Sequence, residues 1–288
     1  DVSTPYITVN SGKTVTFGGI MEGSAEWHKL GDGTFFLSGN NSTNTGKVSI
    51  EAGTLRLGAT GSLGRITSFV PQVNAWSSGI LEFTNTWTLS TNVVIELGAV
   101  GGPRISVQDN STNTWAGVLS GNAAWSKIGN GNMNLSGSQT NEGALVISNG
   151  AVRAAHANAL GTTAGGTTVR SGAALEIAGS ITSAAEPLTL NGTGISSGGA
   201  LRNVSDNNTF SGPITLGAAT RINSDSGTLT LNNGTAIDEN YDLTFGGAGN
   251  VIVTTAITTG SATLTKDGAG VIPDGAGKGN VSVVGTLD

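Results

Sequence analysis

Residues 23–64 read GSAEWHKLGDGTFFLSGNNSTNTGKVSIEAGTLRLGATGSLG, and residues 121–161 return to the same pattern as GNAAWSKIGNGNMNLSGSQTNEGALVISNGAVRAAHANALG. Equivalent positions lie 98 residues apart before the turn and 97 residues apart after it. A partial third copy contains Lys266, Gly268 and Gly270. A repeat of this length indicates a repetitive architecture. The repeat residues are Trp27, Lys29, Gly31, Gly33, Gly39 and Gly53, matched by Trp125, Lys127, Gly129, Gly131, Gly137 and Gly150.

A shorter unit recurs inside the long one. It consists of a small residue, a glycine and then a leucine in alternation with polar residues, which is the pattern of a strand with one buried face. Successive units are often separated by roughly 22–28 residues, the size of one solenoid coil, so the long repeat is expected to span about four coils. The leucines predicted to face inward, each followed by an outward residue, are Leu55, Leu81, Leu175 and Leu229, followed by Arg56, Glu82, Glu176 and Thr230.

The composition restricts the class of protein. The 288 residues include 46 glycines, and charged residues make up only 11%, so strands and tight turns are favoured over helices. An apolar fraction of 37% with a net charge of −6 allows a buried core and argues against disorder. The absence of cysteine excludes disulfides and thiolate chemistry. With 13 Lys and Arg residues in all, scattered along the chain, nucleic acid is not an expected partner.

The chain is predicted to form one elongated domain over residues 1–288. The repeats are placed at 23–120 and 121–259, with a partial copy at 260–288. Residues 65–77 interrupt the rhythm with Pro71 and Trp76 and are predicted to form a projecting loop. No apolar run reaches the ~20 residues of a membrane helix. No signal peptide is recognised and the chain begins at Asp1, which suggests a processed protein or a fragment.

The spacing Lys29-x-Gly31-x-Gly33-x-x-x-Leu37-Ser38-Gly39, followed by a Thr/Asn-rich turn and Gly53-Thr54-Leu55, resembles the passenger-associated transport repeat, also called the autotransporter-associated β-strand repeat. The resemblance covers most of the chain. It implies an all-β, right-handed parallel β-helix at a bacterial surface or in the medium, often in adhesins. We expect no C-terminal membrane barrel from this sequence, which is a departure from the family pattern, and the third copy departs from it at Pro273-Asp274-Gly275.

Candidate chemistry is sparse. His28 and His156 occupy non-equivalent positions without a recognisable nucleophile and are predicted to be surface residues. Residues 194–198 match a nucleophile-elbow pattern, but no helix is predicted after them. The densest acidic group, Asp238-Glu239 with Asp242, is predicted to be a solvated turn rather than a calcium site. No catalytic residue, metal site or cofactor is therefore predicted.

Most aromatic residues are expected in the core. Trp27 and Trp125 share one repeat position, and Trp115 aligns with Phe210. Trp76, within the predicted loop, is the one candidate for stacking on a sugar, and the alternative is that it covers the side of the solenoid.

The sequence thus predicts a non-enzymatic, extracellular structural protein of a bacterial surface. The strands that begin near Tyr6 without a preceding cap suggest end-to-end strand addition into a homopolymer. One alternative is a piece of a longer autotransporter passenger that binds a surface glycan or another host ligand. A second alternative is a polysaccharide lyase or hydrolase of the β-helix type.

Overall fold

The computed structural model describes residues 5–39, 43–58, 62–63, 71–75, 78–98, 101–235, 237–238, 241–258, 262–270 and 281–282. These residues form parallel β-strands connected by turns, with no α-helix among them and one short 3-10 turn at Ile195–Ser197. The prediction of an all-β solenoid of parallel strands is confirmed. Its right-handed winding stays a prediction, based on the general preference of parallel crossover connections.

The chain divides into two compact units, Asp1–Gly143 and Ala144–Asp288. The strands of the first unit are β1 (Tyr6–Thr8), β2 (Thr14–Phe17), β3 (Trp27–Leu30), β4 (Thr34–Leu37), β5 (Val48–Ile50), β6 (Thr54–Leu57), β7 (Pro71–Ala75), β8 (Ile80–Phe83), β9 (Trp87–Leu89), β10 (Val94–Leu97), β11 (Arg104–Val107), β12 (Thr112–Trp115), β13 (Val118–Gly121), β14 (Trp125–Ile128) and β15 (Asn132–Leu135).

The strands of the second unit are β16 (Leu145–Ile147), β17 (Ala151–Ala154), β18 (Thr167–Val169), β19 (Ala174–Ile177), β20 (Leu188–Gly192), β21 (Leu201–Asn203), β22 (Asn207–Phe210), β23 (Ile214–Ser224), β24 (Thr228–Leu231), β25 (Ile237–Asp238), β26 (Leu243–Gly246), β27 (Asn250–Val253), β28 (Ile257–Thr258), β29 (Leu264–Lys266) and β30 (Val281–Ser282).

The first unit stacks its strands on three faces. The first face runs β1, β3, β5, β7, β10 and β13. The second face runs β2, β4, β6, β8, β11 and β14, and the third runs β9, β12 and β15. Every one of these pairings is parallel, so each strand hydrogen-bonds to strands of the neighbouring coils.

The second unit is built in the same way. Strands β16, β18, β20 and the first part of β23 form one run of parallel pairs, and β17, β19, β21, the second half of β23, β26 and β29 form another. Two shorter runs comprise β22, β24 and β27, and β25, β28 and β30. Strand β23 extends over 11 residues and pairs with both β20 and β21, so it continues from one face onto the next.

The interior is filled by stacked apolar residues from successive coils. Leu55, Leu81, Leu175 and Leu229 are each fully buried, which confirms their predicted inward orientation. Leu55 and Leu81 are register partners on β6 and β8, and Ile105 on β11 continues the row. Because parallel strands keep this alignment from coil to coil, each interior row buries its side chains against equivalent ones above and below.

Aromatic residues strengthen this interior. Trp27, Trp115, Trp125 and Phe210 are buried, as the repeat positions predict. The Trp27 ring packs edge-on against Phe35 at 6.0 Å between ring centroids. Rings at such distances add to the stabilisation from burial alone.

The two copies of the long repeat do not occupy equivalent faces. Lys29 on β3 is aligned, coil by coil, with Ile50, Ala75, Leu97 and Gly121 on the first face. Lys127 lies one strand further along, on β14 of the second face. The repeat therefore spans four coils plus one strand, rather than the four coils expected. The first copy joins the first face to the second, and the second copy joins the second face to the third.

Part of the predicted loop at 65–77 is instead a strand. Pro71–Ala75 forms β7, which pairs in parallel with β5 on one side and β10 on the other. Pro71 stands at the strand start, where a missing N–H is tolerated. The register shifts beside it, between Val94 and Ile95 of β10. The loop prediction is wrong for these five residues, and the rest of that stretch, including Trp76, lies outside the described residues.

Candidate functional sites

Lys29 is the central side chain of the first repeat copy. Lys29 lies two residues after Trp27 on β3, so both side chains lie on the same, inward face of the strand. Lys29 has 0% exposure. Its ammonium nitrogen Nζ donates to the carbonyl oxygens of Leu30 at 2.9 Å, Gly31 at 2.6 Å and Ala52 at 3.0 Å. Burial lowers the pKa of Lys29, and the charge of Asp32 opposes that shift. One buried amine therefore satisfies carbonyl groups of its own turn and of the next coil.

Lys127 makes the equivalent corner in the second copy. It is also fully buried, and its Nζ donates to Gly129 O at 2.6 Å and to Gly131 O. Burial lowers the pKa of Lys127 to about 7, with a smaller opposing effect from Asp109. We call this arrangement, in which an inward lysine caps the carbonyls of a Gly-x-Gly turn, the lysine corner. It explains why the repeat has a lysine two residues before the first glycine.

Two other polar residues extend the comparison in the second unit. Lys266, in the third copy, donates to the carbonyls of Asp267 at 3.1 Å and Gly268 at 2.7 Å, but at an exposed position. Asn203 is fully buried, and its amide nitrogen donates to Asp206 O, Ser224 Oγ and Ser226 O. Corner carbonyls are thus capped by a lysine where the repeat motif occurs and by an asparagine at β21.

The glycines of the lysine corners are fixed by close backbone contacts. Gly31 and Gly129 have φ of 73° and 74°, a conformation that favours glycine. A Cβ on Gly33 would lie 2.2 Å from Asn10 O, and a Cβ on Gly131 would lie 2.1 Å from Gln108 O. The matching distances show that both copies stack against the preceding coil in the same way. These positions exclude any side chain because backbone atoms occupy the space.

Charged side chains form a ladder on an outer face of the second unit. Glu176 on β19 lies between Arg153 on β17 and Arg202 on β21, its register partners. It accepts hydrogen bonds from both arginines, and Arg202 also bonds Asp225. Glu176 points outward as predicted, but its exposure is only 4% because the two arginines cover it. We call this set the arginine–glutamate ladder.

The ladder continues through polar contacts on the following coils. Asn223 donates to Asp225 and accepts from Arg221, which in turn forms two bonds of 2.6 Å with Asp267. The hydrogen bond and charge of Arg221 lower the pKa of Asp267. The described arginines of this network are all paired, so the network joins successive coils rather than presenting free charge to an anion.

The first unit has a shorter series of the same kind. Arg56 contacts Glu82 on the next coil, and Gln108 donates to the other oxygen of Glu82 at 3.3 Å. The Arg56 guanidinium also lies over the Phe36 ring. Arg56, Glu82 and Thr230 are partly exposed, in agreement with their predicted outward orientation.

Neither histidine belongs to a catalytic arrangement in the described structure. His28 lies half-buried on the outer side of β3, in contact with Glu51, and its Nε2 is 3.8 Å from Glu26. His156 accepts a hydrogen bond from the backbone N–H of Asn158 at 3.1 Å. In the nucleophile-elbow pattern, Ser196 and Ser197 have φ of 49° and 59° in a 3-10 turn, and the chain continues into β21 rather than a helix. The strand–turn–helix context of that motif is missing.

The described acidic side chains do not form a metal-binding cluster. Among the described residues, no three His, Cys, Asp or Glu side chains are close enough to hold a metal. Asp242 accepts a hydrogen bond from the backbone N–H of Thr263 at an exposed position. Glu239 and the side chain of Asp238 lie outside the described residues, as does Trp76.

Comparison with known proteins gives one relevant similarity. The chain is 28% identical over 148 residues to an adhesin autotransporter, BmaC, of Brucella suis biovar 1 (strain 1330). That alignment covers 48% of this chain and 4% of the much longer adhesin. No family model matches the chain, and no solved structure matches it. In the part of the chain that the structure describes, no helix is long and apolar enough to cross a membrane.

Proposed function

We propose that this chain is a segment of a bacterial surface passenger, a β-solenoid that presents adhesive contacts on its outer faces and catalyses no reaction. One observation carries the proposal: apolar rows fill the interior of the described coils and lysines cap their corners, so a partner that binds along the coils must contact their outer faces. The partial similarity to an autotransporter adhesin supports the same assignment.

An adhesion assay tests the proposal directly. Latex beads coated with the purified chain are added to cultured epithelial monolayers, and the bound beads are counted. The expected result is saturable binding that soluble chain competes away. Beads coated with albumin provide the background, and beads coated with the Gly131→Ala chain show whether binding needs intact coils. Binding of the folded chain no greater than that of albumin would refute the adhesive role.

Trp76 is tested by substitution rather than by deletion of its surroundings. Because β7 pairs on both edges, removing residues 65–77 would break the first face as well as the candidate contact. Trp76→Ala leaves β7 in the chain and removes only the indole. A large loss of glycan-array binding with unchanged circular dichroism supports a sugar contact, and unchanged binding removes Trp76 from consideration.

The lyase or hydrolase alternative makes the opposite prediction. Glu82 and Glu176 are engaged in coil-to-coil contacts with arginines. We therefore expect no release of products from polygalacturonate or alginate. Turnover that disappears on substitution of one Asp or Glu would establish an enzyme instead.

End-to-end assembly is a second candidate function, favoured by the first described coil. Val15 and Phe17 on β2 are 47% and 37% exposed, although their register partners Phe35 and Leu37 are buried at 4% and 0%. Tyr6 on the edge strand β1 is 62% exposed. An additional coil on this side would extend the apolar rows and pair with the strand edges, and a second copy of the chain could supply it.

Sedimentation across a concentration series tests the assembly. Self-association that grows with concentration, and is lost in Val15→Lys, supports addition of a second copy. Wild-type chain that stays monomeric at the highest concentration refutes it. The adhesion assay is independent of this result, because monomeric chain can coat beads.

A further inference from the structure

A buried carboxyl group in the second unit has no part in the lysine corners or the arginine–glutamate ladder. Glu186 precedes Pro187 and β20, and its exposure is 3%. It shares the alternation of Leu188 and Leu190, so its side chain points inward. A glutamate before a proline is ordinarily a solvated turn residue, and its inward position is therefore unexpected from the sequence.

The hydrogen bonding of Glu186 is incomplete. Its Oε1 accepts a bond of 3.2 Å from Thr167 Oγ1 on β18, and Thr167 is itself buried. Its Oε2 is buried and has no hydrogen-bond partner among the described residues. A buried carboxylate with one neutral donor is strongly disfavoured, whereas a carboxylic acid needs fewer donors and can give a hydrogen bond itself.

A small cavity lies beside this carboxyl group. His156, Leu160, Ser183 and Glu186 are among the residues that line it, and its volume is about 10 Å³. That is close to the space one water molecule needs. His156 is the other titratable group on the cavity wall. From the following coil, Gly212 approaches the backbone carbonyl of Glu186 and brings no charge.

We propose that Glu186 is a proton-binding site that couples the packing of this coil to pH. When protonated, the carboxyl group accepts a hydrogen bond from Thr167 Oγ1. Its own O–H can donate a hydrogen bond to a water molecule in the cavity. When ionised, the carboxylate needs more hydrogen-bond donors than its surroundings supply. Water must then enter the cavity, and the contacts around Thr167 and Pro187 loosen. These contacts include the backbone bond from Thr167 N–H to Pro187 O at 2.8 Å.

The direction of the pH effect follows from the burial. Burial raises the pKa of Glu186 from 4.5 to about 7, and the bond from Thr167 opposes the shift only in part. Such a shift corresponds to a proton affinity about 300-fold above that of an exposed glutamate. The contribution of protonated Glu186 to stability is fully present below pH 4.5 and is lost as the pH rises through about 7. Stability should therefore fall across that interval.

Thermal unfolding of the wild type and Glu186→Gln across this interval tests the proposal. The glutamine keeps the shape and cannot ionise, so its melting temperature should stay flat where that of the wild type falls. The variant should then be the more stable protein at about pH 8. His156→Asn is the matched control on the same cavity, and it should keep the pH dependence of the wild type. Parallel curves for wild type and Glu186→Gln would overturn the proposal.

A second measurement does not depend on the folding of the variant. The side-chain carboxyl of Glu186 in the wild-type chain can be titrated by carbon-detected nuclear magnetic resonance. A midpoint near 7 supports the proton site, and a midpoint near the ordinary 4.5 overturns it. Hydrogen exchange of the Thr167 amide measures the local response. Its protection factor, the ratio of the intrinsic to the observed exchange rate, should fall as the pH rises. An unchanged protection factor would refute the loosening of the contacts around Thr167.

Discussion

Replacing Lys127 by methionine should destabilise the protein by an amount that depends on pH. Methionine matches the unbranched, apolar stem but cannot donate to Gly129 O and Gly131 O. Loss of this donor should cost about 1–3 kcal/mol at the buried Gly131 carbonyl and less at the part-buried Gly129 carbonyl. At neutral pH the wild type is itself destabilised by keeping the Lys127 amine buried, because burial lowers the pKa of Lys127 from 10.5 to about 7 and so disfavours its charged form in the folded state.

The sign follows from that lowered pKa. The contribution of the neutral amine to stability is fully present above pH 10.5 and is lost as the pH falls through about 7. The shift sets an upper limit of about 5 kcal/mol on this change. The stability difference between wild type and Lys127→Met should therefore be small near pH 7 and should widen as the pH rises, up to that limit.

Urea unfolding at a series of pH values measures the difference. Lys266→Met is the matched control, because Lys266 holds the equivalent repeat position but donates to Asp267 O and Gly268 O through exposed contacts that water can replace. Its effect should stay below about 1 kcal/mol. A wild-type to Lys127→Met difference that is constant with pH would show that Lys127 is not held by the buried corner as described.

Three further substitutions test the packing. Gly131→Ala should lower the free energy of unfolding by more than about 3 kcal/mol, since its Cβ would lie 2.1 Å from Gln108 O. The control Gly172→Ala, with φ of 82° and open space around the glycine, should lower it by about 1–2 kcal/mol. Equal melting temperatures of the two variants would contradict the clash. Leu81→Ala should cost about 2–5 kcal/mol by urea unfolding because the residue is fully buried, and a loss below 1 kcal/mol would contradict the interior row. Glu176→Ala should lower the free energy of unfolding by about 2 kcal/mol, an effect that decreases with added salt, because it removes the carboxylate that both Arg153 and Arg202 contact. The exposed Glu142→Ala is the control, and equal effects of the two substitutions would argue against the ladder.

Local alternation was enough to predict the strands and their inward leucines, because burial on one face of a strand imposes a period of two. The same alternation places Lys29 inward beside Trp27, but a lysine is ordinarily read as a surface residue, so the lysine corner was not predicted. The relation between coils could not be derived from spacing. The 98-residue repeat moves from one face to the next, and Glu186, although in phase with Leu188 and Leu190, is a charged residue before a proline and was not predicted to be buried.

Coil length varies while the strand pairing is preserved. Hydrogen-bonded residues on neighbouring coils of the first unit are 20 positions apart at Thr114 and Asn134 and 27 positions apart at Leu57 and Thr84. In both coils the strands themselves keep their parallel register. A peptide inserted at a corner between two strands would therefore be displayed beside the stack without a change in the order of the coils. Insertions acquired during evolution can therefore add a new contact surface at a corner while the buried apolar rows stay the same.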